Sequence, residues 1–505
     1  MGPVTITGPN EALRPLKDRL ATISDVRAAA AVLGWDQQTY MPPGGVAGRA
    51  EQLATLGRRA HEMLVSEETG ALLDAAGESE PGSEDAALLR LARRDYERAT
   101  KLPGRLVAET SRASSLAQPA WEEARATSDW SLFAPHLEKI LGLQQETAEH
   151  LGYEDHPYDA LLDLHEPRAK TARLREVFEE LRTALVPVIR EISALPDEDR
   201  SRPLYGSYDE SKQERFGREV ISAFGYDWSR GRQDRAVHPF CINFGGPGDV
   251  RITTRFDPGW LSPAVFATFH EAGHAIYEQN VDPSYARTPL AGGASMGVHE
   301  SQSRIYENQL GRSRAFTGWL YGRMRDIFGD FGIASEEDFF RAANRVGQGF
   351  IRTEADEVQY NLHVLLRFDL EQAVMRGDLR VADLEAAWND RFLQDFGFAV
   401  DRPSNGMLQD VHWSVGLFGY FPTYSLGNLY AGCLHEALRA AVPDLDDHLA
   451  RGDAGQAVRW LRDNLQRHGS LREPRDTIRH ATGQEPAEGP LLDYLEEKFR
   501  GLYGL

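Results

Sequence analysis

Cysteine is scarce in this chain: two in 505 residues, Cys241 and Cys433, far apart. So few thiols exclude a disulfide framework and a thiolate zinc site, and they fit a reducing compartment. No dense run of Lys or Arg occurs, and 56 basic against 77 acidic residues give a formal charge of −21. Nucleic-acid binding through phosphate neutralisation is therefore not expected. No apolar stretch approaches the length of a membrane span. The opening MGPVTITGPNEALRPLKDRL lacks the basic and apolar regions of a signal peptide. Ile6 stands where a myristoylation motif after Gly2 needs Ser or Thr. The expectation is a soluble, cytoplasmic protein with neither nucleic acid nor membrane as partner.

What is present reads mostly as helix. ALLRLARRDYERATKL, LREVFEELRTALVPVIREISAL and LEAAWNDRFLQDFG place apolar residues at helical spacing between charges. The Gly/Pro/acid-rich stretches 75–85 and 196–211 read as surface connections. One region breaks the pattern. In HPFCINFGGPGDVRITTRFD (238–257) two β-prone runs flank Gly245-Gly246-Pro247-Gly248, which predicts a hairpin. No Gly-Lys-Ser/Thr follows those glycines, so they are not a phosphate loop. The fold class expected is mainly α, one unit over 1–505 with a small hairpin or sheet. Within it, an N-terminal helical lobe (about 1–200) is expected over a catalytic region (about 230–430).

Directly after the hairpin comes AVFATFHEAGHAIYEQN, with His270-Glu271-Ala272-Gly273-His274. Residues four apart share a helix face, so both imidazoles can converge on one metal ion while Glu271 serves as general base toward a water. A catalytic zinc usually takes a third protein ligand and keeps one position open. Tyr277 and Asn280 stand where the longer His-x-x-Gly-x-x-His pattern would continue, so the third ligand lies elsewhere. The segment LAGGASMGVHESQSRIYENQLG offers Glu300 first, then His299 and Glu307, with Glu300 and Glu307 on one face. Ordinary solvated helix carboxylates are the competing description of those two. Glu278 faces the same side as His274 and is a candidate supporting residue.

Six ordered motifs then carry a resemblance. They are His238-Pro239-Phe240; Asp249-Val250-Arg251-Ile252-Thr253; His270 to His274; and His299-Glu300-Ser301-Gln302. Ile351-Arg352-Thr353-Glu354-Ala355-Asp356 and Gly406-Met407-Leu408-Gln409-Asp410-Val411-His412-Trp413 complete the set. In this the chain resembles the carboxypeptidase Taq family of metallocarboxypeptidases. The resemblance implies a mostly helical fold with a long central groove and removal of single residues from peptide C-termini. It implies a homodimer with one divalent metal ion per chain, zinc first and cobalt as the alternative. It also implies Glu300 as the third ligand beside His270 and His274.

Peptide hydrolysis further needs donors for a developing oxyanion and, in an exopeptidase, a cation for the free carboxylate. His412, Tyr420 and Tyr424 are the candidate donors, with packing in an aromatic-rich loop as the alternative for either tyrosine. Arg352 is the first candidate anchor and Arg251 the second. His238 either lines the groove or caps the hairpin. His363 and the acids of RTEADEVQYNLHVLLRFDLEQ are expected to form helix-face pairs supporting the metal shell, not a second metal site. An endo-acting oligopeptidase is the nearest rival. A non-catalytic peptide binder conflicts with the presence of all four metal and base residues.

Overall fold

The computed structural model describes residues 9–196 and 204–505. Twenty α-helices and three short strands make up the described chain. The three helical readings match helices Glu84–Lys101, Thr171–Ser193 and Leu384–Phe396, each running one or two residues past the helix end. The connection expected at 75–85 separates helices Glu67–Ala76 and Glu84–Lys101, and Ser83 starts the second by accepting from the Ala86 N–H. Residues 197–203 of the other connection lie outside the described residues. One contiguous apolar core runs from Leu13 to Leu502. No described helix is long and apolar enough to cross a membrane.

The predicted hairpin is present with an unpredicted neighbour. β2 (Cys241–Asn243) and β3 (Val250–Thr254) pair antiparallel, Asn243 opposite Val250, and β1 (Gln233–Arg235) adds parallel to β3. β1 reads Gln-Asp-Arg, with no apolar alternation to betray it. The N-terminal helix Pro9–Thr39 is fastened to this region by side chains. Tyr40 Oη donates to Asp234 at 2.5 Å, and the Arg287 Nε donates to Asp25 at 2.8 Å.

Val250 and Ile252 are fully buried, and the Thr254 and Thr268 hydroxyls meet at 3.1 Å, so the sheet seats helix Leu261–Asn280. That helix buries Val265, Phe269, Ala272 and Ile276 at helical spacing. Helix Met296–Arg304 begins where Ser295 accepts from the Val298 N–H. The two helices touch at Gly273, where a Cβ would stand 2.5 Å from the Gln302 carbonyl oxygen and 2.7 Å from Ser303 Cα. On the other side, helix Pro422–Ala441 packs Gly427 against Glu300, where a Cβ would come within 2.5 Å of Glu300 Cβ. A buried amide ladder, Asn280 to Gln466 to Gln302, ties the same helices together with two bonds of 2.8 Å.

Gly273→Ala is expected to lower unfolding stability by about 1–3 kcal/mol, because backbone, not a yielding side chain, meets the new methyl. Gly142→Ala, at an exposed helical site with nothing within 4 Å, is the control and is expected to be neutral or stabilising. Equal unfolding midpoints for the two variants would contradict the close-approach account.

Candidate metal centre and substrate face

Helix Leu261–Asn280 presents His270 and His274, and helix Met296–Arg304 presents Glu300 between them. Glu300 Oε2 lies 3.6 Å from His270 Nε2 and 3.5 Å from His274 Nε2, and the three ligand atoms all fall within 4.8 Å of one another. A tetrahedral ion with bonds of about 2.0–2.1 Å holds its ligand atoms roughly 3.3–3.5 Å apart. Two imidazole nitrogens and a carboxylate at this spacing fit a divalent metal ion, and the three residues form a metal-binding site.

The far nitrogens of both imidazoles are committed, which sets the tautomers. His270 Nδ1 donates to Glu307 Oε2 at 3.0 Å. His274 Nδ1 donates toward the His299 carbonyl oxygen (3.1 Å) and the His299 ring nitrogen (2.6 Å). His299 Nε2 in turn donates to Glu278 Oε1 at 2.7 Å, and Asn243 Nδ2 donates to Glu278 Oε2 at 2.8 Å. Both Nε2 lone pairs are thereby turned to the metal position. Glu307 reaches His270 from a π-helical turn, Ile305–Leu310, that continues the glutamate helix. Of the candidates left open by spacing, Glu300 is in the cluster, while His299 and Glu307 stand behind it as hydrogen-bond partners.

The Arg304 Nε donates to Glu300 Oε1 at 2.7 Å, and its guanidinium lies 4.1 Å above the Tyr360 ring. Burial alone would raise the Glu300 carboxyl; Arg304 and the two histidines outweigh it and hold that carboxyl far below the usual range. At Glu271 burial prevails over the opposing charges. It pushes the carboxyl up to about 7, with His270 opposing. At Cys241 of β2 burial, then the charges of Glu271 and Glu278, push the thiol well above the ordinary value.

A second cluster adjoins the first through Tyr360. The Arg352 Nη1 donates to Tyr360 Oη at 3.0 Å, and its Nε and Nη2 donate to Asp410 Oδ1 at 3.1 and 2.8 Å. Arg367 Nε donates to the other Asp410 oxygen at 2.7 Å. Two guanidiniums thus share one carboxylate, and one positive charge is left over. The nearby acids in sequence do not pair with Arg352: Glu354 is exposed, Asp356 accepts from its own turn, and Glu357 pairs with Lys498 at 2.6 Å. Tyr424 lies 4.7 Å from the Arg352 guanidinium, and its Oη is 3.1 Å from His412 Nε2. Burial lowers His412 to about 4, so it is neutral at pH 7. Burial raises Tyr420 to about 12, with the charge of Glu300 adding to it, and its ring lies 5.6 Å from that of His412 and 5.4 Å from that of Tyr424.

Arg352, His412, Tyr420 and Tyr424 are therefore brought together, and Tyr360 and Arg304 link Arg352 to Glu300. Two other sequence candidates are not. Arg251 donates twice to Asp249, at 2.9 and 2.7 Å, and stacks 4.3 Å from Trp35, so it joins the N-terminal helix to the sheet. His238 sits exposed in the bend between β1 and β2. His363 also differs from expectation. It is fully buried against Phe396, both ring nitrogens lack a hydrogen-bond partner, and burial followed by Arg367 lowers it well below its usual value. It supports no metal shell. The residues that sequence reasoning missed are Arg304, Tyr360 and Asp410 as partners. Arg304 was legible as the residue one turn after Glu300.

The model of the carboxypeptidase Taq (M32) metallopeptidase family matches residues 15–499. Thermostable carboxypeptidase 1 of Thermus thermophilus is 41% identical over 487 residues, 94% of this chain and 95% of that protein. Carboxypeptidase 1 of Bacillus subtilis is 38% identical over 489 residues, 96% of this chain and 97% of that one. The crystal structure of the M32 carboxypeptidase from Deinococcus radiodurans R1 matches with a TM-score of 0.94 at 40% identity, covering 98% of this chain and 100% of that chain. With a His/His/Glu metal site inside a match of that extent, the chain belongs to the carboxypeptidase Taq (M32) metallopeptidases and is a metal-dependent carboxypeptidase.

Proposed function

We propose that this enzyme releases single C-terminal residues from peptides of broad sequence, with Glu271 as general base and Arg352 as the anchor of the free carboxylate. The observation that carries the exopeptidase reading is the charge left over where Arg352 and Arg367 share Asp410, linked to Glu300 through Tyr360 and Arg304. A guanidinium has five N–H donors. Three of those on Arg352 are engaged by Asp410 and Tyr360, leaving two for a substrate carboxylate.

His270, His274 and Glu300 would hold the divalent ion, zinc first and cobalt as the alternative, which would supply Lewis acidity toward the scissile carbonyl and a water. Glu271 takes the proton from the attacking water and delivers it to the departing amine. Its burial supports both halves of that task, since a carboxyl near neutrality accepts and returns a proton at little cost. His412, Tyr420 and Tyr424 supply donors for the oxygen that gains charge. His412 Nε2 and the Tyr424 hydroxyl face one another at 3.1 Å, which supports their acting at one place. The two free cysteines support a reducing, cytoplasmic setting, and the family resemblance supports a homodimer.

Glu271→Gln is expected to keep one metal ion per chain while kcat falls by about 10²–10⁴, the usual weight of a positioned general base; undiminished kcat in metal-loaded protein would refute the assignment. A peptide with a free C-terminal carboxylate is expected to lose residues stepwise from that end, whereas the same peptide C-terminally amidated is left intact. Internal cleavage of both peptides would favour an endo-acting oligopeptidase instead.

A further inference from the structure

Helix Tyr360–Arg376 carries a buried stripe of Tyr360, His363, Arg367 and Glu371 at spacings of three and four residues. The first and third members serve the Arg352–Asp410 cluster. Glu371, at the far end, is fully buried and touches neither the metal ligands nor the anchor. Its Oε1 accepts from Trp413 Nε1 at 2.8 Å, and its Oε2 accepts from the Gly419 N–H at 3.1 Å and from Tyr158 Oη at 2.5 Å.

The positions of those donors are informative. Trp413 directly follows His412, and Gly419 directly precedes Tyr420. One carboxylate therefore holds both ends of the turn that separates the two side chains assigned to the substrate carbonyl. Gly419 has φ of +80°, and a Cβ there would stand 2.6 Å from the Leu161 carbonyl carbon, so the turn is pressed onto helix Pro157–His165. That helix also supplies Tyr158 to Glu371 and sets His165 against the Tyr420 ring with centroids 5.0 Å apart. Burying a carboxylate is costly unless donors meet it, and two of the three donors here belong to the loop.

We propose that Glu371 is a positioning residue for hydrolysis: it fixes the Trp413–Gly419 turn so that His412 and Tyr420 present their donors to the scissile carbonyl. The proposal rests on the reading of His412 and Tyr420 given above. Glutamine at this position tests it sharply. A carboxylate only accepts, whereas an amide has one accepting oxygen and one donating nitrogen. Because the Trp413 and Gly419 donors sit on different Glu371 oxygens, either orientation of the amide sets an NH2 against one of them and releases one flank of the turn.

The experiment is a kinetic cycle of Glu371→Gln in the wild-type enzyme and in a His412→Ala/Tyr420→Phe background, with metal content measured for each. The expected result is one metal ion per chain throughout, with kcat down about tenfold and KM changed less than about twofold in the wild-type background. In the doubly substituted background the same change is expected to cost less than about twofold. An equal loss in both backgrounds, or no loss in either, overturns the positioning role. Wild-type kcat in His412→Ala/Tyr420→Phe itself refutes the reading of those two side chains, a result distinct from additivity, and the role of Glu371 falls with it. If Glu371→Gln does not fold to a metal-binding protein, Trp413→Phe releases the same flank from the donor side and enters the same cycle. Loss confined to the wild-type background supports the proposal, and equal loss overturns it.

Discussion

The approach of two helix backbones at Gly273 is the constraint on which the metal centre depends. His270 and His274 sit one turn apart on one helix and define two corners of a coordination shell. The third corner requires the next helix to bring a carboxylate within about one ligand-to-ligand distance. Glu300 reaches that corner because Gly273 leaves Gln302 and Ser303 room to lie directly against the metal helix, and Gly427 lets a third helix press Glu300 from behind. The spacing of 3.5–3.6 Å between the ligand atoms is thus a property of backbone packing before it is a property of side-chain rotamers.

Charge is arranged around that packing in layers. Glu307 and the His299–Glu278 pair hold the outer nitrogens of the imidazoles, and Arg304 holds the outer oxygen of Glu300. Tyr360 stands between Arg304 and Arg352 and joins the metal centre to the region with surplus positive charge. Within this setting burial outweighs the opposing charge of His270 and raises Glu271, while Glu300, a neighbour of similar burial, is lowered by Arg304 and the two histidines. Two carboxyls in one pocket acquire opposite tendencies from their partners.

Much of this was legible in the sequence, and the reasons for the rest are physical. Helical periodicity located three of the helices, and the β-prone runs around Gly245–Gly248 located the hairpin. His-Glu-x-x-His pointed to two of the three clustered ligands, since helix geometry makes i and i+4 converge, and offered Glu271 as the candidate base. Glu300 needed the family motif, because spacing left His299 and Glu307 open. Glu307 itself enters through a π-turn, a local widening that carries no periodic signature. β1 was invisible because three polar residues pair through backbone only. The placement of Arg251 against Asp249 and Trp35, and of His363 among phenylalanines, depends on tertiary neighbours that no local window contains. The partner of Arg352, likewise, lies 58 residues away at Asp410.

Anomalous X-ray diffraction at the zinc edge, from crystals of the zinc-loaded protein, tests the central arrangement most directly. The account predicts a single peak per chain bonded to His270 Nε2, His274 Nε2 and Glu300 at about 2.0–2.2 Å, with Glu307, His299 and Glu278 left outside the coordination sphere. A peak ligated by His299 or Glu307 in place of Glu300 would contradict it.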